Sequence, residues 1–209
     1  MLARMNFLFS FSILTLLVFF FAGIAGYFVA NQQQESRIEQ QVSSLPVVET
    51  PTDVDLVEYS LPDVDGNVRH SSEWQGKAQL INFWATWCAP CRREIPLLKE
   101  TQAAHAADNL QVIGIAVDFA EEVASYAEEA QFNYPILVGQ EDAMAVAEDS
   151  GVDFIGLPFT MVVAPSGELI KAHIGEIVES HIEQIVEVLA DLEAGSIDVD
   201  GAREALGTL

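Results

Sequence analysis

The chain has 209 residues, enough for one ordinary domain with an appendage, and half of them are apolar, which excludes a disordered chain and permits a proper core. Thirty-two acidic against nine basic side chains leave a formal charge of −23. That balance excludes a nucleic-acid binder, whose affinity rests on phosphate neutralisation by Lys and Arg, and it resists polybasic docking onto anionic lipid. A solvated acidic coat that keeps the protein soluble accounts for it most simply.

From Met5 to Gln34 no residue is charged, and the 24 residues from Phe7 to Ala30 are almost wholly apolar. As a helix such a run reaches roughly 36 Å, enough for a hydrocarbon core of about 30 Å. It outlasts the usual apolar core of a signal peptide, so residues 1–30 are expected to be a retained transmembrane anchor. Gly23-Ile24-Ala25 leaves the cleaved-signal alternative open. Either way the remainder is exported; with the anchor retained this predicts a single-pass protein of the cytoplasmic membrane with its domain on the periplasmic, extracytoplasmic side. Residues 31–52 are polar, Gln-rich and end in scattered prolines, a linker composition that spans on the order of 25 Å.

The domain, residues 53–195, alternates strand and helix. Residues 54–61 and 67–71 read as short strands around the Asp65-Gly66 turn. Gln79 to Ala85 is an apolar run of buried-strand length, followed by a helix from Ala89 to Ala107 and a strand over Leu110–Val117. A helical stretch over 121–131, a strand over Tyr134–Val138 and a helix over 141–149 come next. Thr160–Ala164 and Leu169–Ile174 are strands joined by the turn Pro165-Ser166-Gly167. Ser180 is expected to open the last helix, with Glu183 completing a capping box. Residues 196–209 read as a weakly structured tail. The alternation predicts an α/β fold, a mixed sheet flanked by helices, with the hairpin added at its start.

The chain's two cysteines stand two residues apart, in Trp87-Cys88-Ala89-Pro90-Cys91, where the strand ending near Ala85 turns into a helix. Cys88 at the helix N-terminus meets free N–H groups and the positive end of the dipole, which favour its thiolate. Pro90 fits the first helical turn, where its missing N–H costs nothing. Zinc wants four ligands, whereas His70, His105, His173 and His181 stand apart in the sequence, so no metal site is expected. A structural disulfide over so small a loop would constrain the unfolded chain little. Redox chemistry remains the better reading.

The run INFWATWCAPCRREIP, Ile81 to Pro96, resembles the thioredoxin superfamily, and within it the TlpA/ResA-type membrane-anchored thiol-disulfide oxidoreductases. The resemblance extends over residues 54–193 and implies a thioredoxin-like fold. It implies that Cys88 attacks and Cys91 resolves, and that Leu157–Pro158 is a cis peptide that meets the substrate beside the sulfurs. Ala89 and Pro90 are further candidate substrate contacts, and Trp87 is expected to pack beside the turn, with a place in the substrate-docking surface as the alternative. Pro96 resembles the proline that kinks the first long helix. Asn82 stands where thioredoxins carry a buried Asp, and Glu94 where ResA-like members place a Glu that takes the Cys91 proton; an exposed, ion-paired Glu94 is the structural alternative. No cofactor beyond the redox-active Cys88–Cys91 disulfide is implied. The implied partners are disulfide-containing exported proteins, with apocytochrome c among them, and a membrane electron donor of the thiol-reducing type. A disulfide-forming oxidase with the same site and a redox-sensed binding module stay open; a peroxide-reducing relative is disfavoured, since no lone attacking cysteine lies upstream.

Overall fold

The computed structural model describes residues 59–207 and Leu209. The expected anchor, the linker and the start of the first strand fall outside them. No helix among the described residues is long and apolar enough to cross a membrane.

Strands β1 (Ser60–Pro62) and β2 (Val68–His70) form the expected hairpin. Its turn is tied by Asp63, whose Oδ1 accepts the N–H groups of Asp65 and Asn67 at 3.0 and 2.9 Å. After a short 3-10 turn, β3 (Ala78–Trp84) begins the main sheet, followed by helix α1 (Ala89–His105) and β4 (Leu110–Val117). Helix α2 (Ala120–Ala130), β5 (Ile136–Gly139), α3 (Glu141–Asp149), β6 (Phe159–Val163) and β7 (Leu169–Ile174) come next, then α4 (Glu179–Glu193) and α5 (Val199–Ala205). The sheet order is β5-β4-β3-β6-β7. β3, β4 and β5 run parallel, while β6 is antiparallel to β3, and β7 to β6.

β3 is buried at all seven positions because helices cover both faces of the sheet. Its pleat divides it: Leu80 and Trp84 join the core beneath α1, α4 and α5, and Ile81 and Phe83 join the core on the opposite face with Val146 and Ala147 of α3. Asn82, two residues from both Leu80 and Trp84, therefore faces α1. Gly114 on β4 makes room for the Trp84 indole, since a Cβ there would lie 3.2 Å from Trp84 Nε1 and 2.6 Å from Ile136 Cδ1.

Two expectations are corrected. The Ser180–Glu183 capping box does not form; α4 starts at Glu179, and the His181 ring accepts the Val178 N–H at 3.4 Å. The earlier start follows from Ile177, whose N–H is bonded to a buried carboxylate and fixes how the chain enters the helix. The tail is not weakly structured. Asp198 caps α5 by accepting the Gly201 N–H at 2.8 Å, and Ala202 and Leu206 are fully buried in the core. This short segment has Gly201 in its interior and only two buried apolar side chains, too few to show a helical period. Leu206→Ala is expected to cost about 2–5 kcal/mol, as other buried Leu→Ala truncations do, read as a lower urea midpoint with unchanged slope.

Candidate active site

The site begins where β3 ends. Cys88 is the N-cap of α1, in extended conformation at φ −82° and ψ 102°, and its sulfur accepts the Cys91 N–H at 3.3 Å. Pro90 occupies the first turn, as expected. The two cysteines form a disulfide across a Cα–Cα distance of 5.3 Å; Cys91 is fully buried and Cys88 is 5% exposed. Ala89 is exposed, Pro90 half-buried, and Trp87 projects from the turn at 69% exposure.

Facing this turn is the start of β6. Phe83 pairs with Phe159, so the preceding Leu157–Pro158 peptide lies at the edge of the sheet where β3 delivers Cys88. That peptide is cis, as the resemblance implied, and the Pro158 carbonyl accepts the Gly175 N–H at 2.9 Å. Leu157 is half-buried and packs against the cores on both faces.

Glu94 lies one helical turn beyond Cys91 and is 1% exposed, which removes the alternative of a surface ion pair. One carboxylate oxygen accepts from Asn82 Nδ2 at 2.8 Å and the other from the Ile177 N–H at 2.7 Å. Asn82 Nδ2 also donates to Thr160 Oγ1 at 3.0 Å. Burial raises the Glu94 pKa to about 7 against the pull of the two hydrogen bonds, and Glu176 nearby adds to the rise. The neighbouring Arg93 is paired with Glu176, its Nε 3.1 Å from Oε1. Arg92 is exposed.

Asp118, just past the end of β4, is a further site residue. Its Oδ2 accepts from both the backbone N–H and the hydroxyl of Thr86, at 2.9 and 2.6 Å, and its Oδ1 accepts the Phe119 N–H at 2.8 Å. One carboxylate thus holds the lead-in to Trp87 and Cys88 against the end of β4. An acid at the mouth of the adjacent parallel strand was the only available signal. The His173 and His181 rings, far apart in sequence, meet at 4.7 Å between centroids. Among the described residues no group of three or more His, Cys, Asp or Glu side chains is placed to hold a metal.

A disulfide-bonded cysteine pair capping the first long helix, set opposite a cis-proline in a sheet of this order, places the molecule among thioredoxin-fold proteins. The chain belongs to the AhpC/TSA family, whose model matches residues 54–172. It is similar to the thiol-disulfide oxidoreductase ResA of Geobacillus kaustophilus, 28% identical over 113 residues. That match spans 54% of this chain and 63% of the relative's length, less than two thirds of it. It is also similar to the thioredoxin-like protein YneN of Bacillus subtilis, 31% identical over 56% of this chain and 68% of that one. Among solved structures, a thioredoxin-family thiol:disulfide interchange protein from Chlorobium tepidum is 27% identical with a TM-score of 0.61, covering 66% of this chain and 97% of that one.

The Glu94 geometry sets a pH dependence. With its folded pKa raised from 4.5 to about 7, the native state holds the Glu94 proton more tightly than the unfolded chain does. Its contribution to stability is therefore full below the unfolded value and is lost as pH rises through the folded one. Between about pH 4.5 and pH 7 this amounts to about 2–3 kcal/mol. Glu94→Gln keeps the shape and removes the titration, and the Asn82 amide can turn its unpartnered Oδ1 to meet the new donor. Urea unfolding of the oxidised protein is expected to show wild type losing stability relative to E94Q from about pH 5 to about pH 8. A constant difference would show that Glu94 does not titrate there.

Proposed function

We propose that this protein is a membrane-anchored thiol-disulfide oxidoreductase that reduces disulfides of exported proteins outside the cytoplasm. The observation that carries the reading is the Cys88–Cys91 disulfide capping α1 opposite cis Leu157–Pro158, with Glu94 buried one turn further along the helix. The apolar run Phe7–Ala30 supports the anchor and the export of the domain.

In the reduced protein the Cys88 thiolate, favoured by the helix N-terminus and the Cys91 N–H, attacks one sulfur of the target cystine. A Cys88–target disulfide forms, and the other target sulfur leaves as a thiolate and takes a proton. Cys91 gives its proton to the Glu94 carboxylate and attacks the Cys88 sulfur. The second target sulfur leaves as a thiolate and takes a proton from solvent, the Cys88–Cys91 disulfide is regenerated, and Glu94 returns the Cys91 proton to solvent. Two electrons have passed to the target, and the two protons it gains are drawn from solvent. Trp87, Ala89 and Pro90 line the approach from one side and Leu157 and Pro158 from the other, where an extended segment finds backbone groups to bond.

A membrane protein carrying thiol-reducing equivalents across the bilayer is the donor this cycle requires. Apocytochrome c, whose haem-binding cysteines must stay reduced, belongs to the substrate class that the ResA-like resemblance implies.

The reduction potential of the pair in the full chain, equilibrated against dithiothreitol, tests the direction. A value near or below about −270 mV is expected, and one near about −120 mV would mark an oxidant instead. Cys91→Ser is expected to abolish turnover while accumulating a mixed disulfide on Cys88, visible as a mass adduct with a cystine peptide. Cys88→Ser should form none.

A further inference from the structure

The large hydrophobic side chains left most exposed among the described residues are Trp87 at 69%, Ile155 at 68% and Phe119 at 63%. All three leave the same edge of the sheet. Trp87 follows β3, Phe119 follows β4, and Ile155 precedes β6, whose first residue pairs with Phe83 near the end of β3. Trp84 and Ala116 are register partners, so Trp87 and Phe119 each lie three residues past a paired position on neighbouring strands. The Asp118 carboxylate fixes their spacing, because it bonds Thr86 with one oxygen and the Phe119 N–H with the other.

Phe119 has no structural reason for its place. It is the N-cap of α2 and makes no side-chain cap, at a position where Ser, Thr, Asp or Asn would stabilise the helix. It contributes little burial either. An aromatic ring that neither caps nor packs, at the end of the sheet where β3 delivers Cys88, is placed to contact a substrate. Its surroundings state the chemistry of what it contacts. Glu121 and Glu122, in the first turn of α2, are both exposed next to it.

We propose that Phe119 is a substrate-contacting residue which, together with Trp87, selects polypeptides carrying an apolar side chain and a basic side chain beside the target cystine. The proposal rests on the reductase reading and deepens it by naming the substrate's flanking chemistry. Phe119 takes the apolar side chain, while Glu121 and Glu122 attract the basic one and give the encounter its salt dependence.

The test uses the full chain, pre-reduced, and three probes: a cystine peptide flanked by Leu and Lys, one flanked by Ser and Glu, and 2-hydroxyethyl disulfide. Wild type is expected to reduce the Leu/Lys peptide faster than the Ser/Glu peptide, with the advantage shrinking as salt is raised. Phe119→Ser is expected to slow the Leu/Lys peptide about tenfold. It should leave the rate with 2-hydroxyethyl disulfide and the reduction potential unchanged, since neither needs a contact beyond the sulfurs. E121Q/E122Q is expected to remove most of the salt dependence. Equal rates of wild type and F119S on the Leu/Lys peptide would overturn the proposal, as would a parallel loss on all three probes. Failure of wild type to reduce even 2-hydroxyethyl disulfide would instead overturn the reductase reading beneath it.

Discussion

The buried Glu94 carboxylate is the constraint around which the site is assembled. It joins three pieces of chain that are distant in sequence: β3 through Asn82, α1 through its own backbone, and the β7–α4 connection through the Ile177 N–H. A carboxylate enclosed in this way costs several kcal/mol unless its oxygens are satisfied, so each donor must be held in place. That requirement explains local details that otherwise look arbitrary. Asn82 must lie on the α1 face of the strand, the chain must reach Val178 extended, and α4 starts where it does because Ile177 is already engaged.

A second carboxylate does comparable work at the rim. Asp118 ends β4 and accepts three hydrogen bonds, two of them from Thr86. The turn between Trp84 and Cys88 has no ladder partners of its own, so this carboxylate substitutes for sheet pairing where the strand has run out. On the other side the Pro158 carbonyl is bonded by Gly175, and Arg93 is paired with Glu176. The β7–α4 connection therefore braces both the cis-proline segment and the start of α1. The sulfurs sit in a frame tied at the rim by Asp118 and below by Glu94.

Much of this was legible in the residues themselves. The strands over 110–117 and 169–174 and the helix over 141–149 were bounded correctly, because apolar runs and acidic helical stretches alternate cleanly with turn residues. The cysteine turn and the place of Leu157–Pro158 were carried by a specific motif. What stayed hidden depends on tertiary meetings. Nothing near Glu94 in sequence shows that Asn82 and Ile177 will enclose it. Asp118 reveals its partners only when β4 is laid in register beside β3. The helix Val199–Ala205 is held by burial of Ala202 and Leu206 against distant elements, and its own period is too short to read.

The two carboxylates also differ in what their surroundings permit. Asp118 is bonded by three donors at the edge of the sheet, an arrangement that positions the chain leading into Trp87 and Cys88. Glu94 has two donors and almost no solvent, and its pKa near 7 leaves both protonation states populated at neutral pH. On the proposed cycle that balance is what the second step needs. A permanently ionised Glu94 would be a weak base beside a buried thiol, and a permanently protonated one could accept nothing. A group near neutrality can take the Cys91 proton at one step and lose it again at low cost, which is the Brønsted optimum for a proton acceptor at that pH. The depth of burial that makes Glu94 expensive to the fold is therefore the same property that suits it to the chemistry.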